Sequence, residues 1–349
     1  MNIDTQTISS KIEQKFNLLK QNQNYIGIGK LIAYSFQINS RQYNLDLFGY
    51  IPKIFRTVEV SLDKNSLQTK DIFIGEPVVY KFYYPENKKL YGLNYFYVFC
   101  YLKERSDRLN VYFQSANPKY KNLSPHEYNL EREKIKFEGS ISSFDNSDLS
   151  VISISDPGHF LPNMTSSYYV GSPLINFPQL IARIIDRITT LSNISLSKTL
   201  LFGSSAGTFG ALLSSTYLKQ KTNVLAVNSQ IDLRYRKDIM QACFGTENTQ
   251  EILQNFGERI SCILRFEQRL RSIPNIYIMA NINDNLYQRN FEFYKHYVER
   301  SSEKGINNQS VFDSYYGVAG HGRPEPHSLK AKIKIAREVL MMKSTRDYQ

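Results

Sequence analysis

Hydrophobic positions repeat with two different periods along the 349-residue chain. Near the amino terminus, Ile8, Ile12, Phe16 and Leu19 recur at helical spacing among Lys, Glu and Gln, which predicts a short amphipathic helix. From residue 25 to 103, aromatic and β-branched residues form short runs separated by Gly, Pro, Asn and Asp, which is typical of strands. These runs fall at residues 25–28, 54–60, 72–74, 78–84 and 91–102. Residues 1–105 are therefore predicted to be a β-rich region with a short leading helix.

The run at 91–102 is dense in Tyr and Phe. It predicts a strand that packs aromatic rings into a core, and the alternative is a surface on which carbohydrate stacks.

After residue 105, short apolar strands alternate with longer helical segments. Strands are predicted at 109–113, 149–154, 199–202, 224–227, 276–280 and 311–316. Helices are predicted at 177–191, 206–218 and 328–342. Strands separated by helices form βα units, so residues 106–349 are predicted to be an α/β domain with a mostly parallel sheet and helices on both faces. Residues 235–272 interrupt the alternation and are interpreted as a helical insertion or cap.

Composition and charge argue against several classes of protein. No apolar run is long enough to span a membrane, and the polar amino terminus leads into no secretory signal core. Three scattered Cys argue against a disulfide framework or a zinc site, and no phosphate-binding loop, metal-ligand spacing or nucleic-acid-binding motif is visible. We therefore expect a protein of the cytoplasm, or of the inner face of the membrane, with no permanently bound cofactor, no metal and no nucleic-acid partner. The excess of 43 Lys and Arg over 32 Asp and Glu, a net charge of +11, favours anionic partners without choosing among them.

Residues 203–207 read G-S-S-A-G and fit the pattern G-x-S-x-G. An apolar strand leads directly into them and a helix rich in small residues follows, which is the setting in which this pattern presents a nucleophilic serine, here Ser205. Small residues are needed on both sides because the helix returns close to the strand. A serine hydroxyl is a poor nucleophile until a base takes its proton, so the motif predicts a histidine and an orienting acid further along the chain.

His321 is the predicted base because it lies in the glycine-rich loop 317–322, directly after the last strand. The flanking glycines allow its imidazole to reach a neighbouring strand end. His327, next to the final helix, is the alternative. His296 lies within a helical stretch, and His126 lies in a loop without supporting context.

Asp284 is the predicted acid because it follows the strand that ends at Ala280 by four residues. It therefore lies in a loop at a strand end, between the serine and the histidine in sequence. Asp232 is the main alternative, and Asp313, within the last predicted strand, is a weaker one.

Two backbone N–H groups are predicted to bind an oxyanion. The first is that of Ala206, at the start of the helix after the nucleophile. The second is near Ser115, in the loop 114–117 that follows the strand two before the nucleophile strand. The loop 156–159 is the alternative source, and its other interpretation is a structural turn.

These motifs resemble the α/β-hydrolase superfamily over about residues 106–345. Ser205, Asp284 and His321 follow one another in the order of that superfamily. Three strings, FGSSAG at 202–207, VNSQID at 227–232 and GHG at 320–322, together resemble a bacterial group associated with capsule and surface-polysaccharide biosynthesis. That group includes capsular polysaccharide O-acetyltransferases of hydrolase fold. The β-rich amino-terminal third does not match it.

The resemblance implies a serine acyltransferase that moves an acetyl group from acetyl-CoA onto Ser205 and then to a sugar hydroxyl. His321 would be the base and Asp284 the orienting acid, and the partner would be a polysaccharide or other carbohydrate, neutral or anionic. The same triad also fits hydrolysis by an esterase or deacetylase. A third hypothesis, a non-catalytic hydrolase-fold scaffold in a polysaccharide or secretion assembly, is disfavoured by the complete triad.

Overall fold

The computed structural model describes residues 5–39, 55–62, 67–84, 95–116, 124, 137, 139, 141–144, 148–160, 164–269, 273–306, 308–318 and 320–341. The α-helices in this part of the chain are α1 (Thr5–Gln21), α2 (Tyr25–Asn39), α3 (Phe177–Ser192), α4 (Ala206–Ser215), α5 (Lys237–Phe244), α6 (Thr249–Ile260), α7 (Cys262–Gln268), α8 (Tyr287–Glu303) and α9 (Pro326–Met341). The strands are β1 (Arg56–Ser61), β2 (Pro77–Tyr83), β3 (Tyr95–Tyr101), β4 (Leu109–Phe113), β5 (Ser150–Ile154), β6 (Gly171–Ser172), β7 (Ile175–Asn176), β8 (Thr199–Ser204), β9 (Asn223–Val227), β10 (Asn275–Asn281) and β11 (Ser310–Tyr315).

The described strands, apart from the short β6–β7 hairpin, form one nine-stranded sheet in the order β1-β2-β3-β5-β4-β8-β9-β10-β11. Within this sheet only β3 runs antiparallel to its neighbours, β2 and β5, and the other strand pairs of the sheet are parallel. Every residue of the central strands β4, β5, β8 and β9 is buried, as expected for a parallel sheet covered on both faces. The predicted α/β class is confirmed.

Helices cover the two faces of the sheet with separate apolar clusters. On one face, Ile181 of α3 and Phe209 of α4 pack with Leu201 of β8. On the other, Leu340 of α9 packs with Leu200 of β8. Successive residues of β8 therefore supply the cores on opposite sides of the sheet.

Residues 25–28 were expected to be a strand, and this prediction is wrong because α2 begins at Tyr25. The alternating sequence Ile26-Gly27-Ile28 imitates the two-residue period of a strand. In the structure Ile26 is 42% exposed, whereas Ile28 and Ile32, one helical turn apart, are both 0% exposed. The buried positions therefore have the helical period, which only the packing reveals.

The remaining strands of the amino-terminal region extend the main sheet. The boundary predicted at residue 105 falls between β3 and β4, inside this sheet. In the run at 91–102, of which β3 is described, Phe96 lies in the core with its ring centroid 4.9 Å from that of Phe177. Among residues 72–74, Ile74 makes only an isolated bridge to Leu102.

After residue 105, the predicted strands and helices all occur, with ends that differ by at most three residues. Three helices, α5, α6 and α7, lie between β9 and β10, within the segment 235–272.

Candidate active site

Ser205 occupies a sharp turn between β8 and α4. Its backbone has φ 52° and ψ −120°, a combination that costs a residue with a side chain about 1–3 kcal/mol. Two neighbours hold it there: the Ser205 N–H donates to the Val227 carbonyl at 2.9 Å, and the Ser205 carbonyl accepts from the Thr208 N–H at 3.1 Å. The surrounding structure thus maintains a strained turn that projects the hydroxyl beyond the strand end.

The two glycines of the motif allow the helix to pass close to the strands. A Cβ atom on Gly203 would lie 2.4 Å from the carbonyl carbon of Gly207. A Cβ atom on Gly207 would lie 2.4 Å from the carbonyl oxygen of Phe113, at the end of β4. Both contacts are with backbone atoms that cannot swing aside, so the positions require glycine.

The structure brings Ser205, His321 and Asp284 together. Nε2 of His321 lies 2.7 Å from Oγ of Ser205, and Nδ1 lies 2.7 Å from Oδ2 of Asp284. The side chain of Asp284 is 1% exposed, whereas that of His321 is 40% exposed. With the ring proton on Nδ1 donated to the carboxylate, Nε2 is left to accept the serine proton.

The loop after β10 fixes the carboxylate. Oδ1 of Asp284 accepts from the Leu286 N–H at 3.0 Å, and the Asp284 N–H donates to the Asn281 carbonyl at 2.9 Å. One carboxylate oxygen therefore anchors the loop while the other faces the imidazole of His321.

Two buried asparagines hold the loop that carries His321. The amide of Asn281 donates to the Gly320 carbonyl at 2.9 Å, and its oxygen accepts from the Gly317 N–H at 3.0 Å. The amide of Asn228 donates to the Gly322 carbonyl at 2.9 Å. The histidine is thus held on both sides from the ends of β9 and β10.

Tyr315, the last residue of β11, adds a further bond to this loop. Burial raises the pKa of Tyr315, so its hydroxyl stays protonated and donates to the Gly322 carbonyl at 2.6 Å. Asn228, Asn281 and Tyr315 were not predicted from the sequence as supports of the histidine. Their sequence signal is weak: each polar side chain lies at or next to the carboxyl end of a strand.

The alternative acids have other partners. Asp232 forms an ion pair with Arg234, and Asp313 accepts from the hydroxyl of Tyr277 at 2.7 Å and from Nζ of Lys332 at 2.5 Å. Neither is bonded to an imidazole in the described residues.

The two alternative histidines that lie in the described residues have other surroundings. His327 is exposed in the first turn of α9, and His296 faces Glu267 at 3.4 Å. His126 lies outside the described residues.

The predicted oxyanion donors lie on neighbouring elements. Ala206 begins α4, and Ser115 follows β4, which pairs directly with β8. In the alternative loop 156–159, the Gly158 N–H already donates to Oδ1 of Asp156 at 2.8 Å. The same buried carboxylate accepts from the Ser167 N–H at 2.9 Å, so this loop has the contacts of a structural turn.

Arg323, two residues after His321, was not predicted from the sequence as a residue of the site. Its Nε donates to Oγ of Ser204 at 2.9 Å, and its terminal nitrogen donates to Oγ of Ser115. One guanidinium therefore connects the histidine loop, the nucleophile strand and the loop after β4. In a chain with 43 Lys and Arg, nothing in the sequence distinguishes this arginine from the others.

Within the described ranges, no group of three or more His, Cys, Asp and Glu side chains could hold a metal ion. The helices of that same part of the chain include none that is both long and apolar enough to cross a membrane.

The sheet, the nucleophile turn and the histidine loop define an α/β-hydrolase fold. No family model matches the chain, and no curated protein matches it by sequence. Among solved structures, it is similar to the capsule O-acetyltransferase of Neisseria meningitidis serogroup A in complex with caged gadolinium, with a TM-score of 0.50 and 18% identity over 72% of this chain and 97% of that chain.

Two further structures have lower TM-scores. A mutant of the same Neisseria enzyme in complex with CoA gives 0.49, with 20% identity over 69% of this chain and 91% of that one. The thermophilic esterase Est2 of Thermogutta terrifontis gives 0.45, with 13% identity over 73% and 91% of the two chains. At these identities, what the chain shares with them is the fold.

Proposed function

We propose that this protein is a serine acyltransferase that moves an acetyl group from acetyl-CoA to a hydroxyl of a carbohydrate. The observation that carries the proposal is the pair of 2.7 Å contacts that link Ser205 to His321 and His321 to Asp284. A hydroxyl, an imidazole and a buried carboxylate in this order are the groups that acyl transfer through a covalent intermediate requires.

In the first half-reaction, Oγ of Ser205 attacks the thioester carbonyl while Nε2 of His321 takes the hydroxyl proton. The N–H of Ala206 and a second N–H near Ser115 bind the oxyanion, and each such donor lowers the barrier by about 3 kcal/mol. Collapse of the intermediate breaks the C–S bond, and His321 returns the proton to the departing thiol. The product is an acetyl ester on Ser205 together with free CoA.

In the second half-reaction, His321 takes the proton of an acceptor hydroxyl, whose oxygen attacks the acetyl ester. The intermediate collapses, and the proton passes to Oγ of Ser205, which regenerates the enzyme and releases an O-acetylated carbohydrate. Asp284 stabilises the imidazolium in both halves because its carboxylate is buried and bonded to Nδ1.

We place the reaction in capsule or surface-polysaccharide synthesis, in the cytoplasm or at the inner face of the membrane. The resemblance of the motif strings supports this assignment, as does the similar fold, with a TM-score of 0.50, of a capsule O-acetyltransferase. The net charge of +11 favours the approach of the phosphates of CoA. The catalytic groups all lie within residues 106–349, which we take as the catalytic unit.

Hydrolysis by the same triad is the second candidate. The observation that favours it is the 40% exposure of the His321 side chain, which leaves the acyl-enzyme open to water. An esterase or deacetylase would use water where the transferase uses the sugar.

The test measures acetyl-CoA consumption by the wild type and by Ser205→Ala, with and without a polysaccharide. Transfer predicts that the carbohydrate accelerates consumption and becomes acetylated. Full turnover of simple esters by water alone, unaffected by any carbohydrate, identifies a hydrolase. If the wild type shows neither transfer nor hydrolysis, and so behaves like the Ser205→Ala variant, the result supports the scaffold hypothesis.

A further inference from the structure

A cleft of about 660 Å³ lies between the segment after β9, helix α7 and helix α8. This volume is in the range that holds a small ligand. Its apolar part is formed by Ile231, Ile263 and Phe293. The other lining residues are polar or charged: Asp232, Arg234, Tyr235, Glu267, Arg289, Glu292 and His296. Neither Ser205 nor His321 lines it, so the cleft is distinct from the triad.

Two structural connections place the cleft beside the triad. The Tyr235 hydroxyl donates to Oε1 of Gln230 at 3.2 Å, and the Gln230 N–H donates to Oγ1 of Thr208 at 3.1 Å. The same Thr208 hydroxyl donates to the Ser205 carbonyl at 2.5 Å. Tyr235 thus stands on the side of the cleft that leads to the nucleophile.

The opposite wall of the cleft, formed by helix α8, begins close to Asp284. Helix α8 begins at Tyr287, three residues after Asp284, and it supplies Arg289 and Glu292 to the cleft. Both walls therefore begin at the carboxyl edge of the sheet, where the acetyl group has to be transferred.

The charges of the cleft argue against an anionic ligand. Among the described lining residues, two guanidinium groups face three carboxylates. One guanidinium, that of Arg234, is already neutralised by Asp232, with Nε 2.8 Å from Oδ2. The phosphates of CoA or the carboxylates of an acidic glycan would therefore meet repulsion here rather than an anion site.

The same groups suit a neutral sugar. Hydroxyl groups both donate and accept, so carboxylates and guanidinium groups can each satisfy them. Tyr235 is 50% exposed. The guanidinium of Arg289 lies over the Tyr235 ring, 5.1 Å from the ring centroid. This arrangement holds an aromatic face in one orientation, as packing against the apolar face of a pyranose ring requires.

We propose that this cleft is the acceptor subsite, in which one unit of a neutral saccharide stacks on Tyr235 and directs its hydroxyls to Glu267, Arg289 and Glu292. The inference rests on the proposed function, since it assigns the carbohydrate to one side of the triad. A neighbouring sugar unit would then extend past Gln230 toward Ser205.

Binding is measured first with Ser205→Ala protein, so that it does not depend on turnover. Saturation-transfer NMR is recorded with the neutral disaccharides maltose and N,N′-diacetylchitobiose, with anionic trigalacturonic acid, and with CoA. We expect at least one neutral probe to bind, and to bind about tenfold more weakly when Tyr235→Ala is added. Tyr235→Phe retains the ring and should retain most of the affinity. Phe291→Ala, which removes a half-exposed ring of α8 outside the cleft, should have no effect.

Three outcomes overturn the inference. No neutral probe binds, Tyr235→Ala leaves the affinity for the neutral probe unchanged, or Tyr235→Ala weakens the binding of CoA or trigalacturonic acid instead. Steady-state transfer then separates the two proposals. If wild-type protein transfers acetyl groups but Tyr235→Ala raises the KM for acetyl-CoA rather than that for the saccharide, the proposed function stands and the acceptor subsite does not. If wild-type protein neither transfers nor hydrolyses acetyl groups, the proposed function fails whatever the NMR result.

Discussion

The side-chain oxygen of Asn228 accepts a hydrogen bond from the backbone N–H of Asn281 at 2.9 Å. This bond joins the carboxyl ends of two adjacent strands, and the amides of the same two residues hold the loop on either side of His321. The imidazole is therefore positioned from inside the sheet, although it lies in a glycine-rich loop.

Asn281→Ala should lower kcat for hydrolysis of p-nitrophenyl acetate about 100-fold, because misplacement of a catalytic group by about 1 Å has an effect of that size. KM should change little. The matched control is Asn275→Ala at the opposite end of β10, where the amide donates to Oδ1 of Asn223 at 3.0 Å. That variant should melt at a lower temperature with nearly normal kcat. Equal kcat losses in both variants would mean that Asn281 acts through general stability.

Arg323→Ala should lower kcat about tenfold, because a guanidinium no longer ties Ser204 and Ser115 to the histidine loop. Arg323→Lys, which cannot donate to both hydroxyls in the same planar geometry, should recover only part of the activity. Arg300→Ala, at a partly exposed arginine paired with Glu303, serves as the control. Full activity of Arg323→Ala would show that this bridge does not position the site.

Gly207→Ala should destabilise the fold by about 1–3 kcal/mol in urea unfolding, since the new methyl group meets the Phe113 carbonyl at 2.4 Å. The control is Gly257→Ala in α6, where the nearest atom, of Leu264, is 3.4 Å from the added Cβ. That change should be neutral or stabilise by up to about 1 kcal/mol. A Gly207→Ala protein as stable as the wild type would refute the close approach of α4 to β4.

Lys332→Met should reduce the free energy of unfolding by about 1 kcal/mol at pH 7, the upper range for a partly exposed pair. Burial raises the pKa of Asp313, but the hydrogen bonds from Lys332 and Tyr277 outweigh it, so the net pKa is lowered from 3.8. A carboxyl with a lowered pKa in the folded state contributes stability above its unfolded pKa and loses it as the pH falls through the folded value. The difference between wild type and variant should therefore shrink below about pH 4.

The control for this measurement is Lys334→Met on the same helix, because its 78% exposed side chain lies 4.0 Å from Glu338. The free energy of unfolding of this variant should be almost the same as that of the wild type, both at pH 7 and below about pH 4. A Lys332→Met effect that is independent of pH would assign the loss to packing rather than to the ion pair.

The fold and the site could be predicted from the sequence where the local hydrophobic pattern and the order of the strands agree. Ser205, Asp284 and His321 each follow a strand of the main sheet, and parallel strands bring their carboxyl ends to one edge, so their meeting could be predicted. The pairing of β3 with β5 could not be predicted, because strands so distant in sequence leave no local signal of their pairing. The bridge made by Arg323 depends in the same way on two loops and the end of β8, which only the folded chain brings together.

The role of Ser205 as a nucleophile activated by His321 is tested most directly by covalent labelling with a fluorophosphonate, mapped by peptide mass spectrometry. Wild-type protein should be labelled on Ser205, labelling should be lost in Ser205→Ala, and it should fall at least about a thousandfold in rate in His321→Ala. Ser192→Ala, whose hydroxyl donates to the Ile188 carbonyl at 2.7 Å at the end of α3, should be labelled like the wild type. Folded wild-type protein that takes up no label at Ser205, or takes it up equally fast without His321, would contradict the account.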